Sequence, residues 1–199
     1  MATAVEWKCG FQCEDNTVST VLRPARMRTW EWVKQYGRTP TGEPFGWRDF
    51  PWTEGICDEW DNPRRDTIWL QFAARLGKTM LAHQLLISAI ARRPAPTLYG
   101  ATTETFVKQT VVKKIYPMLE WCDVMHDQLR PAGKRLQTRI DLRRCTVYTA
   151  WSGSPSTLAD LDPHYKHAGE IDKWDKSESD EADPLDLFLV EAARVVASV

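Results

Sequence analysis

The fold class of this 199-residue chain is decided by residues 67–79, which read TIWLQFAARLGKT. The apolar residues at the start of this stretch predict a short buried strand from Ile68 to Phe72. Gly77, Lys78 and Thr79 at its end predict a tight loop followed by a helix. Backbone N–H groups of such a loop bind phosphates, its lysine reaches the β- and γ-phosphate oxygens, and its threonine ligates Mg²⁺. The stretch therefore predicts a nucleotide triphosphate site.

The residues after this loop predict an amphipathic helix. Five apolar residues fall at helical spacing, and arginines before Pro94 predict where the helix ends. These five residues are Ala82, Leu85, Leu86, Ala89 and Ile90. The full phosphate-loop pattern begins with a glycine at the position that Phe72 occupies here, so the loop is expected to differ in shape. The small side chains of Ala73 and Ala74 still allow the backbone to approach a phosphate closely.

Strand and helix patterns alternate along the rest of the chain. Residues 97–101 predict a second strand, and Val107, Val111, Ile115 and Met118 lie on one face of a following helix. This alternation predicts an α/β fold with a mainly parallel sheet, whose ligands bind at the carboxyl ends of the strands.

Other segments carry weaker patterns. Residues 23–36 predict a helix with Trp30, Trp32 and Val33 on its buried side, whereas residues 1–22 have no clear periodicity and predict a loosely ordered lead-in. Two strands joined by a tight turn are predicted at 136–142 and 146–151. The residues Tyr165, Lys166, His167 and Ala168 are, in contrast, too polar for a typical central strand.

Composition limits the class of protein. The formal net charge is −1, and 43% of the residues are hydrophobic and 27% charged, which is typical of one globular domain without a strongly basic surface. No apolar segment approaches the length of a membrane span, and no charged-then-apolar N-terminus predicts a secretory signal. We expect a cytoplasmic protein.

Five irregularly spaced cysteines favour scattered thiols over a disulfide framework or a metal site such as Cys122 with His126.

Two features allow more than one interpretation. Basic residues crowd the stretch from Arg130 to Arg144, which is either a DNA-facing patch or the solvated face of a hairpin. Acidic residues dominate from Glu170 to Glu191, which favours a solvated loop. The aromatic side chains of Phe50 and Trp52 are either core residues or a face for an adenine ring.

Several motifs occur together in one order. They are a tryptophan-containing lead with Pro51-Trp52, the AARLGKT loop at 73–79, IYPML at 115–119, GSPSTLA at 153–159 and GEIDKW at 169–174. This combination resembles the ATPase domain of the large terminase subunit of tailed bacteriophages, of the lambda type. The resemblance covers most of the chain from about residue 23. It implies a P-loop NTPase of the ASCE (additional strand, catalytic glutamate) class in residues 23–199, incomplete at the C-terminus and without the nuclease domain.

The resemblance also implies a set of site residues for ATP and Mg²⁺. The phosphates would be held by the loop residues Ala73, Ala74, Arg75, Leu76, Gly77, Lys78 and Thr79. Lys78 would stabilise charge during hydrolysis, Arg75 would sense the γ-phosphate, and Thr79 would bind Mg²⁺. Glu170 falls on the glutamate that orients the attacking water, although it could also be one acid of a solvated run. Asp172 is a second candidate for the metal.

One departure from the family pattern concerns this same motif. The family places an aspartate that holds Mg²⁺ through water immediately before the glutamate, and this chain has Gly169 there.

The resemblance further implies double-stranded DNA, a small terminase subunit and the procapsid portal as partners, with assembly into a homo-oligomeric motor in the bacterial host cytoplasm. A helicase-like P-loop ATPase and a non-catalytic nucleotide-binding remnant are the alternatives, the second favoured by Gly169 and by the short chain.

Overall fold

The computed structural model describes residues 27–46, 48–73, 75–129, 136–154, 163–174 and 194–198. The predicted lead-in at 1–22 lies outside the described residues. Two helices come before the sheet, α1 (Thr29–Tyr36) and α2 (Thr53–Asp61). The helix predicted from residue 23 begins later, at Thr29, because the carboxylate of Asp61 accepts hydrogen bonds from the backbone N–H and the hydroxyl of Thr29, both at 2.6 Å. This contact satisfies a free N–H at the helix start and joins α1 to α2.

The centre of the fold is a six-stranded sheet in the order β1-β6-β5-β2-β4-β3. Its strands are β1 (Thr67–Leu70), β2 (Thr97–Ala101), β3 (Arg139–Asp141), β4 (Thr146–Trp151), β5 (Tyr165–Gly169) and β6 (Arg194–Ser198). All neighbours are parallel except β3 and β4, which form the predicted antiparallel pair. The α/β fold with a mainly parallel sheet is therefore confirmed. The strand β6, which the sequence analysis did not predict, lies between β1 and β5, and β5 carries Gly169 at its end.

Two predictions about strands were wrong. The strand β1 ends at Leu70 rather than Phe72, and it lies at the edge of the sheet among the described strands, so that Trp69 is 52% exposed. The segment with Lys166 and His167, judged too polar for a central strand, is the buried strand β5. Its polarity is accommodated because His167 packs its ring against another aromatic ring, that of Tyr99, at 4.9 Å between centroids.

The helices α3 (Lys78–Arg92), α4 (Glu104–Thr110), α5 (Tyr116–Trp121) and α6 (Asp123–His126) complete the described fold. Every residue of the two predicted apolar faces on α3 and on the 107–118 segment is buried. A π-helical turn, Val111–Ile115, joins α4 to α5. Pro117 has no N–H to donate to the carbonyl one turn earlier, so the widened turn before it accommodates the proline without a break in the helix.

The C-terminal end of α3 is fixed to both early helices. Arg92 donates to the Met27 carbonyl at 3.0 Å and to the Asp61 carboxylate at 3.3 Å, and it also donates to the Thr29 hydroxyl. The other end of α3 carries the phosphate loop, so this network anchors the helix that positions the loop. None of the helices in the described segments combines the length and apolarity that crossing a membrane requires.

Candidate nucleotide site

The predicted phosphate loop connects β1 to α3 and contains two left-handed residues. Gly77, at the N-cap of α3, has a φ of +75°, and Arg75 has a φ of +68°. Glycine adopts this conformation without strain, whereas arginine does so at a cost of about 1 kcal/mol. Backbone strain of this kind persists where the surrounding structure requires it, and it is concentrated at functional sites. Glu170, which lies outside the loop, is also left-handed, with a φ of +52°.

A pocket of about 470 Å³ lies beside this loop. It is lined by Ala73, Arg75, Gly77, Lys78, Thr79, Met80, His83, Lys114, Glu170, Asp172 and Lys173. The structure thus brings the loop together with the residues that follow β5, although about 90 positions separate them in sequence. Of the other predicted loop residues, Leu76 is 40% exposed and does not line the pocket, and Ala74 lies outside the described residues.

Positive charge predominates in this pocket. Four cationic side chains line it, against the two carboxylates of Glu170 and Asp172. One carboxylate is already paired, because the Lys173 ammonium lies 2.9 Å from Glu170 Oε2. This contact raises the pKa of Lys173 above its ordinary value. Arg75, Lys78 and Lys114 therefore face a single further carboxylate, and the pocket suits a polyanion such as a triphosphate.

The end of β5 has no carboxylate at position 169, although the backbone there leaves space for a Cβ atom. A Cβ atom built on Gly169 would lie 3.7 Å from both the Gly100 carbonyl oxygen and the Tyr99 hydroxyl, which is ordinary van der Waals contact. The Gly169 carbonyl accepts a hydrogen bond from the Trp174 indole N–H at 3.0 Å, so the backbone direction there is fixed. The glycine is therefore not imposed by a lack of space.

Three buried rings lie behind the pocket. His83 on α3 is 5.2 Å from His167 and 5.6 Å from Tyr99 between ring centroids. Neither histidine has a hydrogen-bond partner for its ring nitrogens among the described residues. Burial lowers the pKa of His167 to about 3. Burial, together with the charges of His167 and Lys114, lowers the pKa of His83 well below its ordinary value. Both rings are therefore neutral at pH 7.

The sequence analysis missed four residues that line the pocket: Met80, His83, Lys114 and Lys173. Met80 and His83 could have been found, since they follow Thr79 on the same helix, His83 one turn later. Lys173 could have been found as the residue one turn after Glu170. No local signal marks Lys114, because its proximity to the loop arises only when the segment after β2 packs against the sheet.

The aromatic residues before β1 pack beside the loop rather than in the pocket. The ring of Phe50 lies 5.5 Å from that of Trp52, which in turn lies 6.2 Å from Phe72. Neither Phe50 nor Trp52 lines the pocket, and Trp52 is 37% exposed. Phe50 supports the loop directly, because a Cβ atom on Gly77 would lie 3.2 Å from its ring carbons. An adenine contact by these two residues stays a prediction.

Substitution of Gly77 by alanine should destabilise the fold. The new Cβ would meet the Phe50 ring in a left-handed backbone conformation, so we expect a loss of about 1–2 kcal/mol and a lower melting temperature. The matched control is Gly55→Ala in α2, where the added Cβ meets nothing within 4 Å and should raise stability by about 0.5–1 kcal/mol. Thermal denaturation of both variants tests the prediction, which equal effects would contradict.

Part of the basic stretch is described and forms the β3–β4 hairpin. Arg139, Arg143 and Arg144 are exposed there, and Arg139 pairs with Asp141 at 3.1 Å. Arg130 and the other basic residues up to position 135 lie outside the described residues, as does the acidic segment at 175–193. Within the described segments, no group of three potential metal-binding side chains occurs, and Cys122 is a buried free thiol.

Comparison with protein families gives a match over most of the chain. The family model for the ATPase domain of the phage terminase large subunit gpA matches residues 41–192. These residues include the phosphate loop, the strand β5 and the Glu170 segment. No match is found among curated proteins.

Proposed function

Because the chain belongs to the family of phage terminase large subunit gpA ATPase domains, we propose that its pocket binds and hydrolyses ATP to move double-stranded DNA into a procapsid. Membership of this family supports a packaging-motor ATPase. The observation that supports the specific proposal is the pocket itself, which Lys78, Thr79 and Glu170 line together.

The loop residues divide the work of binding the triphosphate. Backbone N–H groups at the start of α3 bind the phosphates with the help of the helix dipole. Lys78 neutralises charge on the β- and γ-phosphates, and Arg75 at the rim contacts the γ-phosphate. The left-handed conformations of Arg75 and Gly77 turn the backbone around the bound phosphates.

The residues present fit a Mg²⁺ ion in part. Thr79 offers a hydroxyl and Asp172 a carboxylate in the same pocket, and oxygen donors of this kind are those that Mg²⁺ takes. The ion would neutralise phosphate charge when bound. Glu170 would orient the attacking water. To do so, its carboxylate must release the Lys173 ammonium, with which it forms an ion pair.

The remaining features of the proposal come from the family. Duplex DNA would contact the exposed arginines of the β3–β4 hairpin. These arginines would bind the DNA phosphates, and phosphate contacts carry no sequence preference. A small terminase subunit, the procapsid portal and further copies of the chain are the proposed protein partners, met in the bacterial cytoplasm and at the portal. We propose no nuclease activity for these residues.

Replacement of Lys78 by alanine tests the proposal. We expect ATP affinity to fall about 10- to 100-fold and Mg²⁺-dependent hydrolysis, with or without duplex DNA, to fall to background, because a charge-assisted phosphate contact is lost. Calorimetric titration with ATP and phosphate release measure the two effects. Lys113→Ala is the control, since Lys113 is exposed and does not line the pocket.

The wild-type result separates the alternatives. ATP binding without turnover would support a non-catalytic remnant, a possibility favoured by Gly169. No ATP binding at all would overturn the proposed function. Turnover that procapsids do not affect, but that is accompanied by separation of the strands of a duplex, would favour a helicase-like ATPase.

A further inference from the structure

The π-helical turn before α5 brings a further lysine to the pocket, which also contains Lys78 and Lys173. Lys114 lies on this turn, half-buried, and lines the pocket together with Lys78, Glu170 and Asp172. Turns of this kind occur mostly as single turns within longer helices, and they are frequent at functional sites. Here the widened turn is followed by Pro117, so its position in the helix is fixed by the sequence. The geometry therefore orients one particular side chain of this helix to the loop.

Lys114 is also free to bind a ligand. On the same helical segment, Lys108 pairs with Glu104 at 2.5 Å, whereas Lys114 has no hydrogen-bond or ion-pair partner among the described residues. Its charge acts on the ring of His83, which lies one turn after Thr79 on α3. Lys114 therefore lines the same pocket as His83, Lys78 and Thr79, within reach of a triphosphate bound there.

We propose that Lys114, from the helix that follows β2, binds the γ-phosphate of ATP in the pocket beside the loop. The inference rests on the proposed ATP site and adds a residue to it. It also fits the glycine at position 169, since a further lysine supplies positive charge at the phosphates in a site that lacks one of the carboxylates for the metal. A lysine here lets the helix that follows β2 detect whether a γ-phosphate is present.

The test compares ATP with ADP by calorimetric titration of the whole chain. Lys114→Gln should weaken ATP binding about tenfold or more and ADP binding less than threefold, because only ATP carries the γ-phosphate. Lys114→Arg should restore most of the difference in affinity between ATP and ADP. The matched control is Lys113→Gln, on the same turn but exposed and outside the pocket, which should leave both affinities unchanged.

Each other outcome has a defined meaning. Equal losses for ATP and ADP, or unchanged ATP affinity in Lys114→Gln, would overturn the role of Lys114 while the ATP site stands. A wild-type chain that binds neither ATP nor inorganic tripolyphosphate would overturn both proposals. Circular dichroism and a thermal melt of each variant show whether the fold is intact, and Lys114→Arg, which keeps the charge, serves if the glutamine variant is unfolded.

Discussion

Gly169→Asp should increase Mg²⁺-dependent ATP hydrolysis by about 10- to 100-fold, the range by which carboxylates that act on a metal through water change affinity or activity. The substitution restores a carboxylate at the end of β5, next to Glu170 and on the edge of the sheet that faces the loop. An added Cβ is accommodated, since the atoms nearest to it are the Gly100 carbonyl oxygen and the Tyr99 hydroxyl, both at 3.7 Å. The Tyr99 hydroxyl could donate to the new carboxylate.

Two control substitutions at the same position identify the cause. Gly169→Ala adds the Cβ alone, and Gly169→Asn adds a side chain of nearly the same shape as aspartate without its charge. We expect neither to increase hydrolysis. The Mg²⁺ concentration for half-maximal activity should fall in Gly169→Asp only. If alanine or asparagine raised activity as much as aspartate, backbone rigidity rather than metal binding would be the cause. If aspartate changed nothing while ATP still bound, Asp172 would already supply the metal carboxylate.

The sequence predicted the part of the fold that depends on local patterns. The apolar face of α3 was visible because residues such as Leu85 and Ile90 repeat at helical spacing and are all buried. The loop was visible because Gly77, Lys78 and Thr79 must be contiguous to bind a phosphate. The same local reading gave a wrong environment for Trp69, since whether a strand is central or at an edge depends on which strands pair with it.

The parts that the sequence did not predict depend on contacts between distant segments. The strand β5 is polar in sequence, but His167 meets the rings of Tyr99 and His83 from other elements, and this packing makes a buried position acceptable. Lys114 is far from the loop in sequence, and only packing of its helix brings it to the pocket. The strand β6 follows an acidic stretch that gives no strand pattern, and it forms because both β1 and β5 pair with it.

The free energy of unfolding should fall steeply as the pH is lowered from about 6.5 toward 5. His83 and His167 are fully buried without partners, and burial lowers the pKa of His167 to about 3 and that of His83 well below its ordinary value. In the unfolded chain both rings take up a proton near pH 6.5, whereas the native state excludes it. The unfolded state therefore binds more protons, and each histidine removes about 1.4 kcal/mol of stability per pH unit in this range. Stability is retained above pH 6.5.

Urea denaturation at several pH values, followed by tryptophan fluorescence, measures this slope, and substitution assigns it. His167→Leu removes one of the two buried rings that titrate, so its unfolding free energy should fall with pH about half as steeply as that of the wild type, even if packing changes its stability at pH 7. His126→Gln is the control, because the His126 side chain is 68% exposed and its loss should leave the slope unchanged. A wild-type slope near zero between pH 6.5 and 5 would mean that the native state accepts these protons. In that case the histidines would have to find partners or reach water, and the ring cluster of His83, His167 and Tyr99 would not stay neutral at these pH values.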